Sequence, residues 1–204
     1  MPAESAAIHG AQPEVTMNAP SMSELALQRR RTLNSIGLWL FLASETFLFS
    51  ALISSRFFLE GLGRPESLDQ NLGLVITFVL ILSSFTAYRA ETYAFHGRQK
   101  EFSRYLVFTL ILGSIFLAGV GYEWKQAFEH FPPNTGFGTL FFTMTGIHAF
   151  HVVTGLIVLA SVLWLGRTGR FTEGNTWPVE GTVKYWHFVD VAWVFIYPVL
   201  YLVN

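Results

Sequence analysis

Five stretches of the chain are long and apolar enough to cross a hydrocarbon core of roughly 30 Å, which takes about 20 helical residues. They run over 32–57, 72–95, 104–124, 139–165 and 184–203. The first, "TLNSIGLWLFLASETFLFSALISS", is uncharged apart from Glu45, and the others are apolar around most of their circumference. A water-soluble bundle would carry a polar face on each helix at the 3.6-residue period. Backbone polar groups in lipid must be satisfied internally, which long apolar segments achieve as helices. The pattern predicts an all-α membrane protein, a bundle of five transmembrane helices over residues 32–204. Charged residues make up 13% of the chain, against about 25% in soluble domains, which fits that reading.

Residues 1–31 are expected to form a flexible, polar N-terminal tail rather than a signal peptide, because they hold no apolar core of about 7–15 residues. Net charge is −1, so no broad basic surface attracts nucleic acid. Cysteine is absent, which excludes disulfides, thiolate metal sites, thioether-linked haem and a thiolate-bridged copper pair. Lysine and arginine set the expected orientation. With the N-terminus cytoplasmic, the inner segments hold ten basic residues and the outer ones three, Arg56, Arg64 and Lys125. The C-terminus is then outside.

Polar residues inside the spans are the candidate functional groups. Glu45 lies on the inner half of the first span and reads equally as a proton-handling group or as a neutral acid bonded to a neighbouring helix. His148 and His151 are three residues apart and share a helix face, but two ligands do not complete a metal site. A carboxylate-bridged dimetal bundle wants Glu-x-x-His on two helices, and that motif does not occur here. Haem held by one of these histidines and His187 is a competing reading, opposed by the different depths the count assigns to them. His187 and Asp190 also share a face, and an imidazole is a ready hydrogen-bond partner for an aspartate. That pair is expected to be a buried polar clamp, satisfied by its own hydrogen bond, since an aspartate costs about 2.5–3.5 kcal/mol at a span centre. Pro198 is expected to kink the last span and free a carbonyl. Glu123, in "GYEW", is expected to anchor a helix end or meet a partner. Glu123, His148, His151, His187 and Asp190 thus form the expected buried packing network, with no catalytic residue and no metal ligands in the chain.

Four motifs in order resemble subunit III of the haem–copper respiratory oxidases. "YWHFVDVAWVFIY" is similar to that family's last-helix signature, with Glu180 seven residues before His187 as in its Phe-Glu loop motif. "FGTLFFTMTGIHAFHVVTGL" resembles its His-x-x-His helix, "LFLASETFLF" its Ser-Glu segment, and "GYEW" its Tyr-Glu position. The resemblance covers residues 33–203 and is to the five-helix bacterial form; mitochondrial-type members carry two further helices before Glu45, which close a lipid cleft. It implies a non-catalytic subunit without cofactors of its own, with phospholipid as a candidate ligand. Haems and copper would reside in partner subunits. The implied partners are subunit I, by direct helix packing, then subunit II, smaller subunits and membrane lipids. The implied role is to stabilise subunit I and support proton uptake in a complex that reduces oxygen to water and pumps protons. Glu45 takes the position of the family's carbodiimide-reactive glutamate. The implied location is the bacterial cytoplasmic membrane, as a multi-pass protein. The last-helix wording leans towards cytochrome c as donor, with a quinol oxidase subunit as the alternative. An independent proton-coupled transporter, using Glu45, Asp190 and the histidines as a relay, is the reading from another class. No internal repeat of the kind such transporters carry is visible.

Overall fold

The computed structural model describes residues 21–59, 65, 68–168 and 176–203. Five helices account for nearly all of them: α1 (Met22–Leu59), α2 (Gln70–Phe95), α3 (Gln99–His130), α4 (Gly136–Arg167) and α5 (Trp177–Tyr197). All five are long and apolar enough to cross a membrane, so the expected five-helix membrane bundle holds. The helices overrun the apolar stretches at most ends. α1 has 38 residues, about 57 Å at 1.5 Å per residue, and begins ten residues before the expected first span. A capping box explains the early start. Ser21 N–H donates to Glu24 Oε2 at 2.7 Å, and Glu24 N–H donates to Ser21 Oγ at 3.3 Å. Residues 22–31, assigned above to a flexible tail, are therefore helical, and residues 1–20 of that tail lie outside the described residues.

Local chemistry sets the other boundaries. Asp69 caps α2 by accepting from the N–H groups of Asn71 and Leu72, and Thr135 caps α4 by accepting from Gly138 N–H. α2 and α3 are joined by three residues, His96 to Arg98, with Gly97 at φ 66°. That left-handed conformation suits glycine and lets the helices fold back as a hairpin. Pro178 sits in the first turn of α5, where its missing N–H costs nothing. At the other end Pro198 opens a π-helical turn, Pro198–Leu202. The helix loses one regular hydrogen bond there and widens.

α2, α3, α4 and α5 form a closed ring in which each packs on its sequence neighbour and α5 returns to α2. α1 lies outside that ring, against α4 and α5. Half of the most apolar window of α5 is buried, against 11% for α1, so α5 is the centre of the bundle and α1 its periphery. Trp186 of α5 fills the middle of the ring and is fully buried. It fits because glycines face it from two sides. A Cβ on Gly113 of α3 or Gly155 of α4 would come within 2.8 Å of the indole. The indole N–H donates to Ser83 Oγ of α2 at 3.1 Å, so one side chain links three neighbours. Large apolar side chains point outward elsewhere, including Phe47, Phe78, Phe150 and Trp164, as a lipid-facing surface requires.

Candidate functional site: buried polar contacts between helices

Glu45 of α1 meets His151 of α4, with Oε2 3.0 Å from Nε2. The other ring nitrogen of His151 lies 2.7 Å from the Ile147 carbonyl. A carbonyl only accepts, so Nδ1 carries a hydrogen and donates it. Nε2 and Glu45 Oε2 then share a single proton. Either a neutral acid donates to a neutral imidazole, or an imidazolium donates to a carboxylate. Both arrangements are neutral overall, which suits a contact between helices in lipid. The pair opens on a groove of about 460 Å³ lined by Leu38, Phe41, Phe150 and Tyr185. Tyr185 O–H lies 2.8 Å from Thr154 Oγ1 and 3.2 Å from the His151 carbonyl, which fixes the α4 segment carrying the imidazole.

His148 turns away from His151 into the core. It is fully buried, and neither of its ring nitrogens has a hydrogen-bond partner among the described residues. Its ring lies against Trp193 at 4.8 Å, Phe116 at 5.7 Å and Phe49 at 6.3 Å. Aromatic rings occupy the space a haem plane would need, so the bis-histidine reading does not fit this histidine. Among the described residues no three His, Cys, Asp or Glu side chains converge as metal ligands.

The expected hydrogen bond between His187 and Asp190 is not formed. His187 Nδ1 is 2.6 Å from Ser84 Oγ on α2, and both Asp190 oxygens lack a hydrogen-bond partner among the described residues. The i, i+3 spacing places the two on one face of α5, but α2 packs against that face and offers His187 a hydroxyl. The clamp therefore runs between helices, from His187 to Ser84, instead of within α5.

Glu123 of α3 is 2% exposed, deeper than a helix-end anchor would be. Its Oε2 accepts from Tyr201 O–H at 2.6 Å. The π turn sets Tyr201 there, and Gln70 Nε2 donates to the Tyr201 carbonyl at 2.7 Å. Ser84 and Thr154 escaped the sequence reading. A hydroxyl in an apolar helix carries no signal of its own until a neighbouring helix supplies its partner.

A family model described as "Cytochrome c oxidase subunit III" matches residues 15–204. The chain is 31% identical to a probable cytochrome c oxidase subunit 3 of Mycobacterium leprae, over 93% of this chain and 97% of that protein. It is 32% identical to cytochrome c oxidase subunit 3 of Corynebacterium diphtheriae, over 92% and 96% of the two chains. It is also 32% identical to quinol oxidase subunit 3 of Bacillus spizizenii, over 84% and 88%.

Proposed function

The chain belongs to the cytochrome c oxidase subunit III family, and from that premise we propose that it is the non-catalytic third subunit of a bacterial terminal oxidase. The complex would reduce oxygen to water and pump protons, with haems and copper in its other subunits. This chain would pack directly against subunit I, adjoin subunit II, stabilise the assembly and support proton uptake. The observation that carries the reading is the match along almost the whole chain together with five membrane-length helices. The polar groups support it. Glu45–His151, His187–Ser84 and Glu123–Tyr201 each join two segments of the bundle, which is the work of a scaffold. Glu45 also faces the groove between α1, α4 and α5, a position suited to proton exchange as well as to fixation.

Cytochrome c is the proposed donor. The last-helix wording favours it. The proposed orientation, with the N-terminus on the cytoplasmic side of the membrane and the C-terminus outside, rests on the ten-to-three bias of basic residues. Residues 32–204 form the proposed membrane domain. Phospholipid is the proposed occupant of the grooves beside α1.

Purification in gentle detergent through a tag on the N-terminal segment tests the proposal. Recovery of a large haem-bearing partner, with the separated chain colourless in a reduced-minus-oxidised spectrum, is the expected result. A chain recovered alone, or one with a haem band of its own, overturns it. The haem types and any attached copper subunit would report the donor.

A further inference from the structure

The α2–α3 hairpin carries a cluster of cations and rings that the contacts described above do not use. Arg89 and Tyr93 stand one turn apart on α2. Arg98 opens α3, and Arg104, Tyr105 and Phe108 lie in its first three turns. The rings make a row. Tyr93 stacks on Tyr105 with centroids 5.2 Å apart, and Tyr105 meets Phe108 edge-on at 6.3 Å. Three guanidinium groups lie on this row. Arg89 is 4.9 Å from the Tyr93 centroid and 5.8 Å from that of Tyr105. Arg98 is 5.1 Å from Tyr93, and Arg104 is 5.7 Å from Phe108. A cation over a ring face is held there by the ring's quadrupole. Arg89 is fixed further by donating to Tyr93 Oη at 2.6 Å.

The charge on this seam is not balanced within the bundle. Arg98 pairs with Glu101 at 2.6 Å, whereas Arg89 and Arg104 meet no carboxylate among the described residues. A guanidinium presents five N–H donors in a planar fork that matches the oxygens of a phosphate. Most of these donors are unspent, since Arg89 directs one to Tyr93 and Arg98 one to Glu101. Further into the bundle, Arg104 is followed by Phe108, Ile111 and Ile115, all exposed and spaced by four, three and four residues. That spacing lays them along one face of α3.

A cationic head above an apolar stripe has the order of parts that a phospholipid needs, phosphate first and acyl chain next. A free phosphate or an acidic peptide needs the cations and not the stripe. Three cations against one carboxylate favour a headgroup of net negative charge over a zwitterionic one, whose own ammonium offsets the attraction. Basic pockets between membrane helices take anionic headgroups in this way. We propose that Arg89, Arg98 and Arg104 bind the phosphate of an anionic phospholipid from the leaflet at this end of the bundle, with one acyl chain along Phe108, Ile111 and Ile115. None of these residues lines the grooves beside α1. The site rests on side chains of this hairpin alone and holds whether or not the chain joins an oxidase.

Native mass spectrometry of the full chain in detergent tests the site, with phosphatidylglycerol and phosphatidylcholine of identical acyl chains as probes. The expected result is one phosphatidylglycerol retained in preference to phosphatidylcholine. Removing one guanidinium from a lipid phosphate changes affinity about fivefold. Arg104→Gln should therefore weaken phosphatidylglycerol by that factor and leave phosphatidylcholine unchanged. Arg89→Gln, Arg98→Gln and Arg104→Gln together should abolish the preference. Arg29→Gln with Arg30→Gln, which removes two exposed cations of α1, should keep it. Arg104 is exposed, so its single variant decides even where the triple variant does not fold. Equal retention of the two lipids, or equal losses in Arg104→Gln and in the α1 variant, overturns the site as no more than diffuse charge. Displacement of the lipid by equimolar inorganic phosphate or polyglutamate also overturns it, in favour of a soluble anion or an acidic partner.

Discussion

A glutamine at position 45 keeps a side-chain N–H to donate to His151 Nε2, whereas a leucine leaves that nitrogen in apolar surroundings. Glu45→Leu should therefore cost about 1–3 kcal/mol, the usual penalty for an orphaned buried group, while Glu45→Gln should lie close to wild type. Thermal unfolding of the two variants in detergent measures the difference, and equal losses would contradict the shared-proton arrangement. At this scale the sequence singled out the polar residues of the spans, of which Glu123, His148, His151 and Asp190 are buried and Glu45 and His187 half-buried, and was silent about whom they meet. Glu45, Glu123, His148, His151, His187 and Asp190 were all picked out from position alone. Their partners sit far away in sequence, as with Glu45 and His151, separated by 106 residues. Spacing of three residues places His187 and Asp190 on one face, but the rotamer belongs to whichever helix packs there. Ser84 of α2 decided it.

Among the elements, the Trp186 contact is the least forgiving. Gly155→Ala puts a methyl group within 2.8 Å of a fully buried indole. The indole is fully buried and tied to Ser83 by its N–H, so a loss of about 1–3 kcal/mol is expected, as for other overpacked cores. Detergent or chemical unfolding checks this against Gly121→Ala, where an added methyl meets nothing within 4 Å. The start of α1 makes a separate prediction. Ser21→Ala removes one arm of the capping box, so amide hydrogen exchange should quicken over Met22 to Leu27 and stay unchanged beyond Thr32. Uniform exchange along α1 in both proteins would show that the cap is not what holds the first turns. Span centres were legible because an apolar run of this length has one outcome in lipid. Span ends were not, since a Ser-x-x-Glu box, an aspartate cap and a π turn extend or finish helices without altering hydropathy. The box at Ser21–Glu24 was nevertheless present as a pattern, overlooked inside a polar tail.

For the whole molecule, the absence of cysteine makes orientation a direct measurement. Single cysteines at Lys100, in the first turn of α3, and at Lys125, near the far end of that helix, should differ in intact cells. A membrane-impermeant maleimide should label Lys125→Cys and spare Lys100→Cys until the membrane is opened; the opposite pattern would invert the proposed topology. The ring of α2 to α5 was beyond reach of the sequence, because apolar helices advertise no preferred neighbour. Its consequence reaches past stability. With 11% of its apolar window buried, α1 is the helix least held by its fellows and the one most exposed to hydrophobic mismatch. A thinner or thicker bilayer is met by tilt, at fractions of a kcal/mol per Å, and the interlocked ring resists tilting where α1 does not. Changes in membrane thickness would thus be felt first across the Glu45–His151 contact, making a shared proton the gauge of the lipid around it.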